Sequence, residues 1–117
     1  MDKTFSDSCV FCKIAQGQIP CQKVWEDENF LAFHDIHPAA PIHVVIIPKW
    51  HVEKSETRQT PESFWNDFMR AVWSVAAQEK LDKTGYKLIN NGAGYNDLEH
   101  EHIHILGGMG KGEALNV

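Results

Sequence analysis

His100-Glu101-His102-Ile103-His104-Ile105-Leu106 sets a histidine at every second position from 100 to 104, with Glu101, Ile103 and Ile105 between and after them. Side chains at i, i+2 and i+4 share one face of a strand, so this period of two predicts a strand bearing a row of imidazoles about 7 Å apart. One histidine in a strand is more often a structural residue with satisfied ring nitrogens. Three in strict alternation point to metal ligation or catalysis, because imidazole fills a core poorly. The two roles need not compete. Glu101 is the exception on the apolar side. It requires solvent or a cation near the start of the strand, since a carboxylate buried alone is costly or takes up a proton.

Working outward, Tyr86 to Ile89 reads as a strand, followed by a loop rich in Gly and Asn from Asn90 to Asp97. Upstream, Thr60 as N-cap and Pro61 at the first helical position open a long helix that should stop before Gly85. Phe64, Phe68, Val72 and Val75 or Ala76 form its apolar stripe. Trp65, Met69 and Trp73 widen the stripe, either as a broad core face or as a surface for a partner. Two apolar runs, Phe30 to Ile36 and Ile42 to Ile47, are parted by His37-Pro38-Ala39-Ala40-Pro41 and read as strand, turn, strand. A shorter strand precedes them at Lys23 to Glu26, and Cys9 to Gln16 forms one or two helical turns before Gly17. Strands, one long helix, then two more strands give an α+β layer: an antiparallel sheet of about five strands with a helix across one face.

At 117 residues the chain is read as one domain, 1–117, with segments 1–8 and 109–117 expected to be mobile. Its net charge of −5, from 11 basic and 16 acidic side chains, leaves no basic surface for gripping a nucleic-acid polymer. A small phosphorylated ligand stays open, because a few local donors suffice to hold one phosphate. The polar start, Met1 to Ser8, does not resemble a secretory signal, and no stretch has the apolar length of a membrane span, so a cytoplasmic location is expected. Three cysteines, an odd number, argue for reduced thiols. Cys9-Val10-Phe11-Cys12 has the spacing of a zinc knuckle, which two thiolates and two imidazoles would complete; a redox pair or two buried thiols are the other readings. Cys21 is read as a bystander.

These segments together resemble the histidine triad (HIT) superfamily, and within it the Hint branch of nucleotide-binding proteins. Cys9-Val10-Phe11-Cys12-Lys13-Ile14 with Gly17-Gln18-Ile19-Pro20 resembles the family's opening. Phe33-His34-Asp35-Ile36 and Pro41-Ile42-His43-Val44-Val45-Ile46-Ile47-Pro48-Lys49-Trp50-His51 resemble its central hairpin. Asn90-Asn91-Gly92 and His100 to Leu106 resemble its loop and signature strand. The resemblance covers nearly the whole chain and implies a HIT-like fold: a five-stranded antiparallel sheet, one long helix, a short N-terminal helix, and a sheet extended by two-fold dimerisation.

It further implies a nucleotide hydrolase or transferase in which His102 attacks the α-phosphorus of a nucleoside phosphoramidate or related nucleotide, giving a covalent nucleotidyl-histidine. By the same matching His104 donates to a phosphate oxygen, His43 lies beside it, and Asn90 adds an amide donor. Asp35 takes the ribose hydroxyls, while Ile14, Ile19, Phe33 and Ile36 line a pocket for a purine base. Asn96 and Asp97 fall where the family's loop reaches the leaving group. In cysteine-bearing members the corresponding zinc ligands are Cys9, Cys12, His51 and His100, which makes the metal structural. Three departures stand out: Glu101 where the family has an apolar residue, Tyr95-Asn96 where it has Gly-Gln, and Asp97 where Hint proteins have a serine. A carboxylate at 97 would repel phosphate unless protonated or turned away. A catalytically weak nucleotide-binding module and a zinc-binding interaction domain are the alternatives.

Overall fold

The structure is a computed structural model that describes residues 3–96, 98–110 and 112. Asp97 therefore lies outside the described residues, as do residues 1–2, 111 and 113–117 of the two terminal segments.

The sheet has five strands, β1 (Lys23–Glu26), β2 (Phe30–His34), β3 (Ile42–Pro48), β4 (Tyr86–Ile89) and β5 (Ile103–Gly107), in the order β1-β2-β3-β5-β4 with every neighbouring pair antiparallel. The helices are α1 (Val10–Ala15), α2 (Glu62–Gln78) and α3 (Leu81–Thr84), and a 3-10 helix covers Lys54–Gln59. This is the expected α+β layer. No helix among the described residues is long and apolar enough to cross a membrane.

Strand alternation divides the core in two. Phe30, Ala32, Val44, Ile46, Ile103 and Ile105 point to one face, where α2 covers them with Phe64, Phe68, Ala71, Val72, Val75 and Ala76. Leu31, Phe33, Val45 and Ile47 point to the other face, where Phe11 of α1 packs on them. His43, two residues before Val45, and His102 and His104, flanking Ile103, fall by the same alternation on this second face. The stripe predicted for α2 is buried, and Trp73 stands half out of it against Tyr86 of the edge strand β4, with ring centroids 6.0 Å apart.

Several boundaries differ from the sequence expectation, each for a local reason. The run from Phe30 ends as a strand at His34, because the Asp35 carboxylate accepts the N–H of His37 at 2.8 Å and turns the chain. Thr60 does not cap α2. Its hydroxyl donates back to the Thr57 carbonyl at 2.7 Å, closing the 3-10 helix, and α2 begins at Glu62 after Pro61. The long helix also breaks at Lys80, whose φ of 60° is left-handed, before the four residues of α3 carry the chain to Gly85 at φ 104°.

The largest difference concerns the histidine row. β5 starts at Ile103, not at His100. In the register that pairs Ile46 with Ile103, Glu101 would come opposite Pro48, which has no N–H to give. The ladder lapses there. The chain bends through Lys49 and Trp50, and pairing resumes as a single bridge between Glu53 and His100, with Glu101 N–H donating to Val52 O at 2.7 Å.

Candidate functional site

Along the histidine face, each ring is fixed by one partner whose chemistry is unambiguous. His102 Nδ1 lies 2.8 Å from the His100 carbonyl. A carbonyl only accepts, so Nδ1 carries the hydrogen and the neutral ring keeps its lone pair on Nε2. The Ala39 N–H points at His43 Nδ1 at 3.0 Å, so that nitrogen accepts, and the hydrogen of His43 sits on Nε2. From there it is donated to His104 Nδ1 at 2.8 Å, which leaves His104 as the Nε2–H tautomer. Burial pushes the His43 pKa down, against the opposing pull of the Asp35 carboxylate, so the neutral form that this relay needs is the favoured one. His102 and His104 face each other edge to face at 4.9 Å, and Phe11 sits against His102 at 5.2 Å and against His100 at 5.7 Å.

Asp35, His43 and His104 also bring one ligand atom each within 4.8 Å of one another. The tautomers count against a metal there: His43 would have to offer Nε2, which bears the hydrogen as long as Ala39 donates to Nδ1.

At the other end of the row the chemistry is different. Cys9, Cys12, His51 and His100 gather with their ligand atoms within 4.8 Å and could form a metal site. Cys9 Sγ is 3.2 Å from His100 Nδ1, and Cys12 Sγ is 3.5 Å from the Nδ1 atoms of both His51 and His100. A tetrahedral ion with bonds of about 2.0–2.3 Å spaces its ligand pairs about 3.3–3.8 Å apart, so the two 3.5 Å separations fit and the 3.2 Å one falls just short of that range. Both tautomers fit as well. His100 Nε2 donates to the Pro48 carbonyl at 2.9 Å and His51 Nε2 to the Glu53 carboxylate at 2.6 Å, leaving each Nδ1 lone pair for the sulfur side. Burial lowers the His100 pKa to about 4 and raises the Cys12 thiol to about 11. The imidazole is therefore ready as a ligand, whereas the buried thiol needs a cation beside it to ionise.

The remaining expected residues divide. Asp35 and Ile36 line an open groove of about 450 Å³ together with Pro20, Cys21, Gln22 and His34. Ile36 is 86% exposed and free to meet a ligand, while Phe33 is 5% exposed and Ile14 packs with it in the second-face core. Ile19 is half-buried and outside that groove's lining. Asn96 is occupied in its own loop, accepting from Gly94 N–H and donating to Leu98 O and Glu99. Asn90 differs from its expected role: both amide hydrogens are directed inward, to Glu101 Oε1 at 2.9 Å and the His102 carbonyl at 3.3 Å, and not towards a phosphate.

Sequence reasoning passed over Lys54, Glu53 and Cys21. Lys54 is the cation that Glu101 required, with Nζ 2.5 Å from Oε1. The signal for it was only the demand itself, since nothing in a chain names a partner 47 residues away. Cys21, read as a bystander, shares the groove of Asp35.

Comparison with known proteins identifies the family and agrees with the fold. The HIT domain family matches residues 16–111. A 13.2 kDa HIT-like protein of Azospirillum brasilense is 39% identical over 119 residues, covering 98% of each chain. Among solved structures, a HIT family hydrolase from Legionella pneumophila superposes with a TM-score of 0.80 at 39% identity, covering 88% of this chain and 95% of its own. A histidine triad nucleotide-binding protein from Candida albicans gives 0.75 at 33%, covering 84% and 73%. With the family match over most of the chain, the identity to such relatives and the shared fold, the chain belongs to the HIT domain family.

Proposed function

We propose that this protein is a nucleotide hydrolase or transferase that acts on the α-phosphorus of a nucleoside phosphoramidate or a related nucleotide. The observation that carries this reading is the tautomer of His102: with its hydrogen held on Nδ1 by the His100 carbonyl, Nε2 is the nucleophilic nitrogen. Nε2 attacks phosphorus, the P–N bond to the leaving amine breaks, and the amine departs with a proton from solvent. Water then attacks the nucleotidyl-imidazole, restoring His102 and releasing the nucleoside monophosphate. His104, kept as the Nε2–H tautomer by His43, donates to a non-bridging oxygen as charge builds there. Asp35 takes the ribose hydroxyls at the groove, with Ile36 against a purine. The relatives solved as a hydrolase and as a nucleotide-binding protein support the same class.

Zinc is the metal best suited to two thiolates and two imidazoles, and with four protein ligands its role is structural: it ties α1 to the residues ahead of β5. The chain works in the cytoplasm as a two-fold dimer through β4 and the Trp73–Tyr86 patch, which a sedimentation mass of one chain at micromolar concentration would refute.

One observation favours a second reading, a binding module with weak catalysis. Asn90, the expected phosphate donor, is turned inward. Hydrolysis of a fluorogenic adenosine phosphoramidate by the parent and by His102→Ala separates the two. The expected result is a loss of at least about a thousandfold in the variant, with nucleotide trapped on the parent in intact-protein mass spectrometry. Monophosphate binding with no turnover in the parent would leave the binding module.

A further inference from the structure

Lys54 and Glu101 form an ion pair with side-chain exposures of 5% and 1%, which neither the metal cluster nor the imidazole relay uses. Glu101 Oε1 receives three donors: Lys54 Nζ at 2.5 Å, Asn90 Nδ2 at 2.9 Å and the main-chain N–H of His102 at 2.9 Å. Lys54 Nζ also donates to Asn90 Oδ1 at 2.5 Å, and Asn90 Nδ2 reaches the His102 carbonyl at 3.3 Å. Both peptide groups of His102 are thus held by this triad, the N–H by Glu101 and the C=O by Asn90.

The position explains the need. His102 precedes β5 and lies beyond the last pairing of β4 on β5, Ile89 with His104; by strand alternation its peptide groups face that side, so no ladder clamps them. An error of about 1 Å in a reacting group costs on the order of a hundredfold in rate. We propose that Lys54 and Glu101 are positioning residues that stand in for the missing ladder and aim His102 through its own backbone, with Asn90 oriented by the pair. This rests on His102 as the nucleophile.

The test replaces both charges at once, because removing one strands the other in the interior while an apolar pair of similar size leaves stability nearly unchanged. For Lys54→Met/Glu101→Leu in the full chain, the expected melting temperature is within a few degrees of the parent, with kcat down about ten- to a hundredfold and KM within about twofold. Lys54→Gln/Glu101→Gln keeps an oxygen to accept from His102 N–H and recovers most of kcat. A folded apolar variant with parental kcat overturns the proposal, because a merely structural pair would leave the reaction untouched. Amide hydrogen exchange reads the same point without turnover. Exchange at His102 should quicken at least about tenfold in the apolar variant while Ile105, inside β5, is unchanged; equal behaviour at both overturns it. Should the parent hydrolyse nothing, or His102→Ala retain turnover, the nucleophile reading fails, and the exchange measurement still decides whether the pair holds His102.

Discussion

The two faces of this sheet are built from the same strands and obey different rules. On the α2 face, Phe30, Val44, Ile46 and Ile105 meet Phe64, Phe68 and Val72 through undirected apolar contact. On the histidine face, each functional ring depends on one directed hydrogen bond: His100 O for His102, Ala39 N–H for His43, Pro48 O for His100, Glu53 for His51. Apolar packing tolerates exchange of one hydrophobe for another of like volume. A tautomer has no such tolerance, since moving one hydrogen turns a nucleophile or ligand into a donor.

The largest effect expected from breaking this contrast is on the α2 face. Phe68→Ala should cost about 3–5 kcal/mol in urea unfolding, since the ring is fully buried and stacks on Phe30 at 5.0 Å. The kcat of the fraction that remains folded should be unchanged; a large fall in that kcat would show that the faces are not independent.

Acid attacks the other face. An unfolded histidine takes its proton near pH 6.5, while His100 in the folded chain resists until about pH 4. Between those values the unfolded state binds more protons, so stability is complete above pH 6.5, declines as pH falls towards 4, and is level below. For metal-stripped protein the loss is on the order of 3 kcal/mol, read as a falling urea midpoint. His43, with its pKa also lowered, adds in the same direction. A midpoint that stays flat from pH 6.5 to 4 would contradict the burial that sets these shifts.

A smaller, sharper test is Glu53→Ala, which leaves all four candidate metal ligands in place and removes only the acceptor that orients His51. Zinc affinity should fall about ten- to a hundredfold, measured by competition with a chromogenic chelator. Parental affinity would mean that His51 is oriented without its carboxylate.

The same contrast explains what was legible in the sequence. Periodicity reports burial, so the five strands, the buried stripe of α2 and the histidine face could all be read from spacing. Directed bonds are invisible to periodicity. Nothing in the row His100 to His104 told that Pro48 would part His100 from the strand, or that Asn90 would turn its amide towards Glu101. Thr60 carried the signature of a cap yet spent its hydroxyl on Thr57, because a 3-10 helix offered a nearer acceptor. Lys54 was unreadable for a related reason: a long flexible side chain finds a buried carboxylate only once the chain has brought residues 52–54 alongside 99–101.

Pro48 has a last consequence. By withholding one hydrogen it uncouples the start of the histidine row from the rest, and its carbonyl then assigns His100 to the cysteines. Division of labour within a single short segment follows from that omission. A lineage could shed the cysteines and His51 without shifting the register of β3 on β5, which is set downstream of that break. The scaffold end of the row is thereby left open to revision while the reactive end is inherited intact.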